Sequence, residues 1–238
     1  MTTEPPVLVL LPGMDGTGEL FAPFLDALGG RFETIVVRYP ADQILGYSGL
    51  LPIARAAIPV ERPFVIVAES FSGPIGISLA AEGSSGLCGL VLCGSFARNP
   101  RTAFAGFARW MRAIPVNAAL RDIGVMAMVG AQADPSVRAL IRRTVARLSP
   151  AIVRARLQAV LQVDVSRELA NIDVPILYLQ ATRDRAVPRA AAEFIRQVSP
   201  ATNVVRIDGP HFLLQVRAEA AATEIVRFAI DVSRSPEE

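Results

Sequence analysis

The sequence predicts an α/β fold, with about six mainly parallel strands, helices on both faces of the sheet and a helical cap over one end. Two observations predict the sheet: the short apolar runs are continuous rather than alternating, and helical patterns separate them. A strand covered on both faces has no polar side, and parallel neighbours need a crossover between them. The third observation is a long stretch between Cys93 and Asp173 with no clear strand, which predicts an inserted helical layer. Residues 1–95 then form the first part of the core, 96–170 the cap and 171–238 the second part of the core.

The first strand is Val7 to Leu11, broken by Pro12-Gly13 and followed by a loop holding Gly16 and Gly18. Leu20 to Leu28 reads as a short helix stopped by Gly29-Gly30, and Thr34 to Val37 as a β-branched second strand. Residues 48–59 are expected to be helical, shortened by Pro52 and Pro59. Phe64 to Ala68 is the third strand, Ser70 follows it at once, and Pro74 to Ala81 is a helix with proline in its first turn. Leu87 to Leu92, Pro175 to Leu179 and Asn203 to Ile207 complete the strands. A helix from about Pro188 puts Ala191, Phe194 and Val198 on one side. Leu214, Ala218, Ala221, Ile225 and Phe228 form the apolar stripe of a last helix. The cap holds helix-like pieces near 102–113, 117–129, 135–148 and 150–161, punctuated by Pro100, Pro115, Pro135 and Pro150.

Composition narrows the function. The chain has 238 residues, enough for one domain with a modest insertion and a large core. It is 52% hydrophobic and 19% charged with a formal charge of +2, which gives no strong draw toward nucleic acid or an anionic membrane. No apolar run reaches membrane-spanning length and Met1 to Pro6 carry no secretory pattern, so no stable membrane insertion and a cytoplasmic location are expected. Cys88 and Cys93 lie in one strand region and are expected as two buried thiols in a reducing compartment. Their spacing and the single histidine argue against a metal site. Arg138, Arg142, Arg143, Arg147, Arg154 and Arg156 alternate with apolar residues and are expected on a solvated helix face.

The chemistry is concentrated in four turns after four strands. In Ala68-Glu69-Ser70-Phe71-Ser72 a serine stands between strand and helix, with small residues two before and two after it. Such a sharp turn needs small neighbours and lifts the hydroxyl above the sheet. It resembles the nucleophile elbow of the α/β-hydrolase superfamily, with Ala68 and Ser72 in place of the usual glycines. Leu11-Pro12-Gly13-Met14-Asp15-Gly16-Thr17-Gly18 matches the place of the superfamily's oxyanion loop, with Pro12-Gly13 where many relatives have His-Gly. Its glycine spacing fits neither nucleotide fingerprint. Asp184-Arg185-Ala186-Val187-Pro188 resembles the superfamily's acid loop, and His211 follows the last strand where relatives place their base. The chain order Ser, Asp, His is also theirs.

The resemblance implies a triad of Ser70, Asp184 and His211, with the amides of Met14 and Phe71 as oxyanion donors, and no cofactor. Asp208 is a weaker candidate for the acid. The expected reaction is hydrolysis of small or medium apolar carboxylic esters through an acyl-serine. Phe96, Phe107, Trp110, Met111 and Met126 are the expected apolar lining, and Glu69 and Asp15 are expected at the entrance. The expected partner is a small-molecule ester, with a homodimer left open. Two other functions remain. One is acyl transfer or thioester cleavage on the same residues, since the Leu11–Gly18 loop looks like that of plastid acyltransferases of this superfamily. The other is a catalytically silent ligand-binding protein of the same fold.

Overall fold

The apolar runs become the strands β1 (Val7–Leu11), β2 (Thr34–Val36), β3 (Phe64–Glu69), β4 (Leu87–Cys93), β5 (Ile176–Ala181) and β6 (Asn203–Ile207) of a computed structural model. It describes residues 5–100, 118–130 and 133–234. The six strands form one sheet in the order β2-β1-β3-β4-β5-β6, every neighbouring pair parallel. Between them run α1 (Ala22–Leu28), α2 (Tyr47–Arg55), α3 (Gly73–Ala81), α4 (Ala118–Val129), α5 (Pro135–Ala146), α6 (Pro150–Gln162), α7 (Ser166–Ala170) and α8 (Arg189–Val198). The chain closes with α9 (Leu213–Val216) and α10 (Ala218–Ser233).

Both faces of the sheet are buried, which is why its strands read as unbroken apolar runs. Val7, Val9 and Leu11 of β1 join Phe64, Ile66 and Ala68 of β3 in one core. Leu8 and Leu10 join Val65 and Val67 in the other. Helices α2 and α3 cover the first face, and α1 and α10 pack together over the second. Helix α3 lies close on β3: a Cβ at Gly76 would stand 2.8 Å from the Ala68 Cβ. Cys88 is partly buried rather than fully so, while Cys93 is buried, and both are free thiols.

The final apolar stripe is not one helix. The chain leaves helical angles at Arg217 (φ −129°, ψ 41°), whose Nε donates to the Asp208 carbonyl at 2.8 Å. Leu213 and Arg217 also close over Gly209, so the turn at His211 is braced by its own continuation. Ala221, Ala222, Ile225 and Ala229 then form the buried side of α10.

The strand order reverses at β1, with β2 on one side and β3 on the other. A sheet of this order places its site at the carboxyl ends of β1 and β3, where the two loops meet. Described residues between β4 and β5 contact the loops at this end. Where that segment begins and ends, Asn99 N–H donates to the Val163 carbonyl at 3.0 Å and Val165 N–H to the Ala97 carbonyl at 2.8 Å. Val125, Val129, Ile141 and Val145 of α4 and α5 enclose Leu20 from the loop after β1, with Phe212 and Val216 packed alongside. Arg142 and Arg143 lie on an exposed helix face as expected, but Arg156 is fully buried. Among the described residues, no helix is long and apolar enough to cross a membrane.

Gly76→Val forces the α3–β3 contact apart. It is expected to lower the unfolding free energy by about 1–3 kcal/mol in urea titrations, with little change in the slope.

Candidate active site

The serine stands at the end of β3, where the backbone must turn into α3 without room to do so gently. Ser70 adopts φ 48°, a left-handed conformation that costs a non-glycine residue about 1–3 kcal/mol. Its carbonyl is held from two directions. The Gly73 N–H donates to it, and so does the Ser95 hydroxyl at 2.6 Å. Ser95 is placed in turn by Tyr178, whose hydroxyl donates to the Ser95 carbonyl at 2.7 Å. A Cβ at Gly73 would stand 1.7 Å from Ser95 Oγ, so only glycine permits this brace.

The other two triad candidates come to the same point. Ser70 Oγ lies 2.8 Å from His211 Nε2, and His211 Nδ1 lies 2.8 Å from Asp184 Oδ2. A carboxylate only accepts, so Nδ1 carries the ring proton and Nε2 is left to accept from the serine hydroxyl. The second carboxylate oxygen of Asp184 accepts from the Ala186 and Val187 amides at 2.7 and 2.8 Å, which fixes its rotation. Gly94 takes φ 52°, a conformation that favours glycine, and packs against the pair: a Cβ there would be in van der Waals contact, 3.4 Å from Asp184 Oδ2 and 3.5 Å from His211 Nδ1. Asp208 is not part of the line. It is exposed and pairs with Arg183 and Thr182.

The loop after β1 is pinned on all sides. The Ser72 hydroxyl donates to the Pro12 carbonyl, and Tyr39 donates to Ser72 Oγ at 2.8 Å. Gly16 N–H donates to the Gly13 carbonyl at 3.1 Å, and Tyr39 N–H to the Gly16 carbonyl at 2.7 Å. The Phe71 ring stacks on Tyr47 with centroids 4.7 Å apart, and the Tyr47 hydroxyl donates to the Phe71 carbonyl at 3.0 Å.

Two expectations about charge fail here. Glu69 and Asp15 do not ring an entrance; both are buried. Asp15 accepts from Thr17 through its amide and its hydroxyl, at 2.9 and 2.6 Å. Glu69 packs beside Gly13, its Oε2 3.7 Å from where a Gly13 Cβ would stand, and accepts from Gln215 Nε2 at 3.0 Å. Burial is the main cause that pushes its carboxyl from the ordinary 4.5 up to about 7; nearby Asp15 adds to the rise, and Gln215, His211 and Gly13 oppose it. Arg156 is the second departure. Its Nη1 donates to the Met14 carbonyl at 2.6 Å from beneath the loop. Its spacing from buried Ile152, one helical turn back, was the signal that this arginine shares the covered side of its helix.

Of the expected lining, Phe96 is buried against Val187 and Ala191 beside the acid loop, and Met126 packs with the cluster that holds Leu20 and Phe212. Phe107, Trp110 and Met111 lie outside the described residues.

Residues 8–224 match the model of the alpha/beta hydrolase family. Phytyl ester synthase 1, chloroplastic, of Arabidopsis thaliana is 32% identical over 107 residues, 42% of this chain but only 14% of that protein's length. The magnesium-chelatase 30 kDa subunit of Rhodobacter capsulatus is 24% identical over 257 aligned positions, covering 93% of this chain and 86% of that one. Among solved structures, the enol-lactonase from Burkholderia xenovorans LB400 superposes with a TM-score of 0.78 at 21% identity, over 95% of this chain and 92% of that one.

The buried carboxyl at position 69 leaves a mark on stability. Its folded pKa of about 7 exceeds the unfolded 4.5, so the folded state holds the extra proton between those values. Its contribution is complete below 4.5 and is lost as pH rises through 7. Glu69→Gln is expected to flatten the fall in unfolding free energy across that window, measured by urea denaturation at a series of pH values.

Proposed function

The chain belongs to the alpha/beta hydrolase family, and from that premise we propose that it is a serine hydrolase cleaving small or medium apolar carboxylic esters through an acyl-Ser70 intermediate. The observation that carries this is the unbroken pair of 2.8 Å contacts from Ser70 Oγ through the His211 ring to Asp184. A serine hydroxyl at a strained turn, an imidazole with its free nitrogen facing it and a fixed carboxylate behind are the parts needed to generate a nucleophile.

In the proposed reaction Ser70 Oγ attacks the ester carbonyl while its proton passes to His211 Nε2. Asp184, held by two amides, keeps the ring oriented and stabilises the imidazolium. The carbonyl oxygen gathers negative charge, which the amides of Met14 and Phe71 are assigned to receive. The C–O bond then breaks, and His211 protonates the leaving alcohol. A water, deprotonated by His211, attacks the acyl-serine and releases the acid and Ser70. No step requires a metal or cofactor. Residues 96–170 act as the cap in this proposal, with Phe96, Phe107, Trp110, Met111 and Met126 offering apolar surface to the substrate. The reaction is assigned to the cytoplasm.

One observation favours a second reading, transfer of the acyl group to an alcohol. The similarity to phytyl ester synthase 1 adds to the likeness of the Leu11–Gly18 loop to acyltransferase loops. Transfer and hydrolysis differ only in what attacks the acyl-serine.

Turnover of p-nitrophenyl esters is expected in the wild type and should fall by roughly 10⁴-fold or more in Ser70→Ala and in His211→Ala. Activity that survives in Ser70→Ala would remove the serine from the reaction. With a long-chain alcohol present, chromatography of the products separates the two outcomes: a new ester marks transfer, and free acid alone marks hydrolysis.

A further inference from the structure

Arg156 belongs to α6, inside the segment between β4 and β5, yet its guanidinium is buried under the loop that follows β1. Nη1 donates to the Met14 carbonyl at 2.6 Å and Nη2 to the Pro40 carbonyl at 3.4 Å. Its Cζ stands 5.8 Å from the Tyr39 ring centroid and 6.0 Å from that of Phe71. The loop is shaped around it: a Cβ at Gly16 would stand 2.5 Å from Nη1. Among the described residues, no carboxylate lies within ion-pair distance of this cation; the buried Asp15 acts on it favourably from further away, and its Nε has no hydrogen-bond partner. Burying a full charge against carbonyls and ring faces is costly when a neutral donor would tie the same backbone.

The geometry explains the cost. The amide assigned to the oxyanion belongs to the Gly13–Met14 peptide. The carbonyl of that peptide accepts from Gly16 N–H, which turns the Met14 N–H the opposite way. On the near side the Glu69 carboxylate packs beside Gly13, and on the far side Arg156 holds the Met14 carbonyl. The donor peptide is thus fixed through its own carbonyl by Gly16 and through the next carbonyl by Arg156, and the cation also lies over the side chain of Phe71, whose amide is assigned as the second donor.

We propose that Arg156 is the positioning residue of the oxyanion loop, a charged tie from the inserted helical segment that sets the direction of the Met14 N–H and makes it depend on the seating of α6. This rests on the acyl-serine reading above. The tie acts through Met14 and does not touch the substrate. Its positive charge also lowers the energy of the negative charge that develops nearby in the transition state. The inserted segment is then a component of the catalytic end as well as a cover for it.

The test measures kcat and KM on a p-nitrophenyl ester for R156M and R156K. It also measures their affinity for a trifluoromethyl ketone, which forms a hemiketal with the serine and places an oxyanion in the hole. In R156M kcat is expected to fall about 10²-fold with KM changed less than about threefold, and ketone affinity to fall by the same factor as kcat/KM. R156K keeps the charge and one donor without the fork, so it is expected to recover about tenfold of that loss. Arg143→Met, an exposed arginine on α5, is the control for lost charge and should behave as wild type. A kcat within about threefold of wild type in both variants, or a loss confined to KM with ketone affinity intact, overturns the proposal. If R156M does not fold, R156K decides on the same readouts. These outcomes separate from the failure of the functional reading, which would appear as turnover persisting in Ser70→Ala.

Discussion

The left-handed backbone of Ser70 is the constraint on which the rest of this end of the molecule depends. A strand that must end in a helix with no intervening loop can do so only through such a turn, and the turn projects the hydroxyl above the sheet. The strain persists because the surroundings over-determine it. The Ser70 carbonyl is gripped by Ser95 and by the Gly73 amide, and Ser95 is gripped by Tyr178 from β5. Directly after β4 comes Gly94, whose positive φ turns the chain beside the imidazole and the carboxylate. Three neighbouring parallel strands therefore act together on one residue. Their parallel register matters, because only then do all their carboxyl ends open on the same side.

Around that turn the protein buries more charge than its composition suggests. Glu69, Asp15, Arg156 and Asp184 all lie within the structure behind or beneath the serine and the loop after β1. They bond to backbone amides, backbone carbonyls or a fixed side chain rather than forming simple ion pairs, apart from the contact of Asp184 with His211, and among the described residues the Nε of Arg156 is left without a partner. Groups fixed in this way need little reorganisation when charge appears in a reaction, and a low-dielectric setting strengthens their effect. The same burial makes Glu69 reluctant to ionise. Stability and site geometry are thus linked through one carboxyl, which packs beside Gly13 and joins the elbow to the helix that follows His211.

The sheet was legible almost strand by strand, because burial on both faces writes itself as uninterrupted apolar sequence. Val7–Leu11 and Asn203–Ile207 match their expected limits, and the others shift by one or two residues at an end or, for β5, at both. The positions of Ser70, Asp184 and His211 were legible because each follows a strand in a parallel sheet. The break of the last stripe at Arg217 was not, since it comes from side-chain bonds to Asp208 and from packing over Gly209, a contact that helical periodicity does not record. The roles of Glu69 and Arg156 were misjudged for a related reason. Charged residues are usually solvated, and whether one is covered depends on what another part of the chain lays over it.

Taken by itself, the sequence determined the order and kind of elements, the parallel sheet and the three residues that its loops carry to one end. Those properties are local: apolar periodicity, turn residues and the position of a side chain just after a strand. Only the tertiary structure decided which charges are buried, how the loop after β1 is pinned and which part of the inserted segment reaches beneath it. Those depend on contacts between residues far apart in the chain, such as Arg156 with Met14 and Gln215 with Glu69, and they form only once the strands are paired and the helices packed.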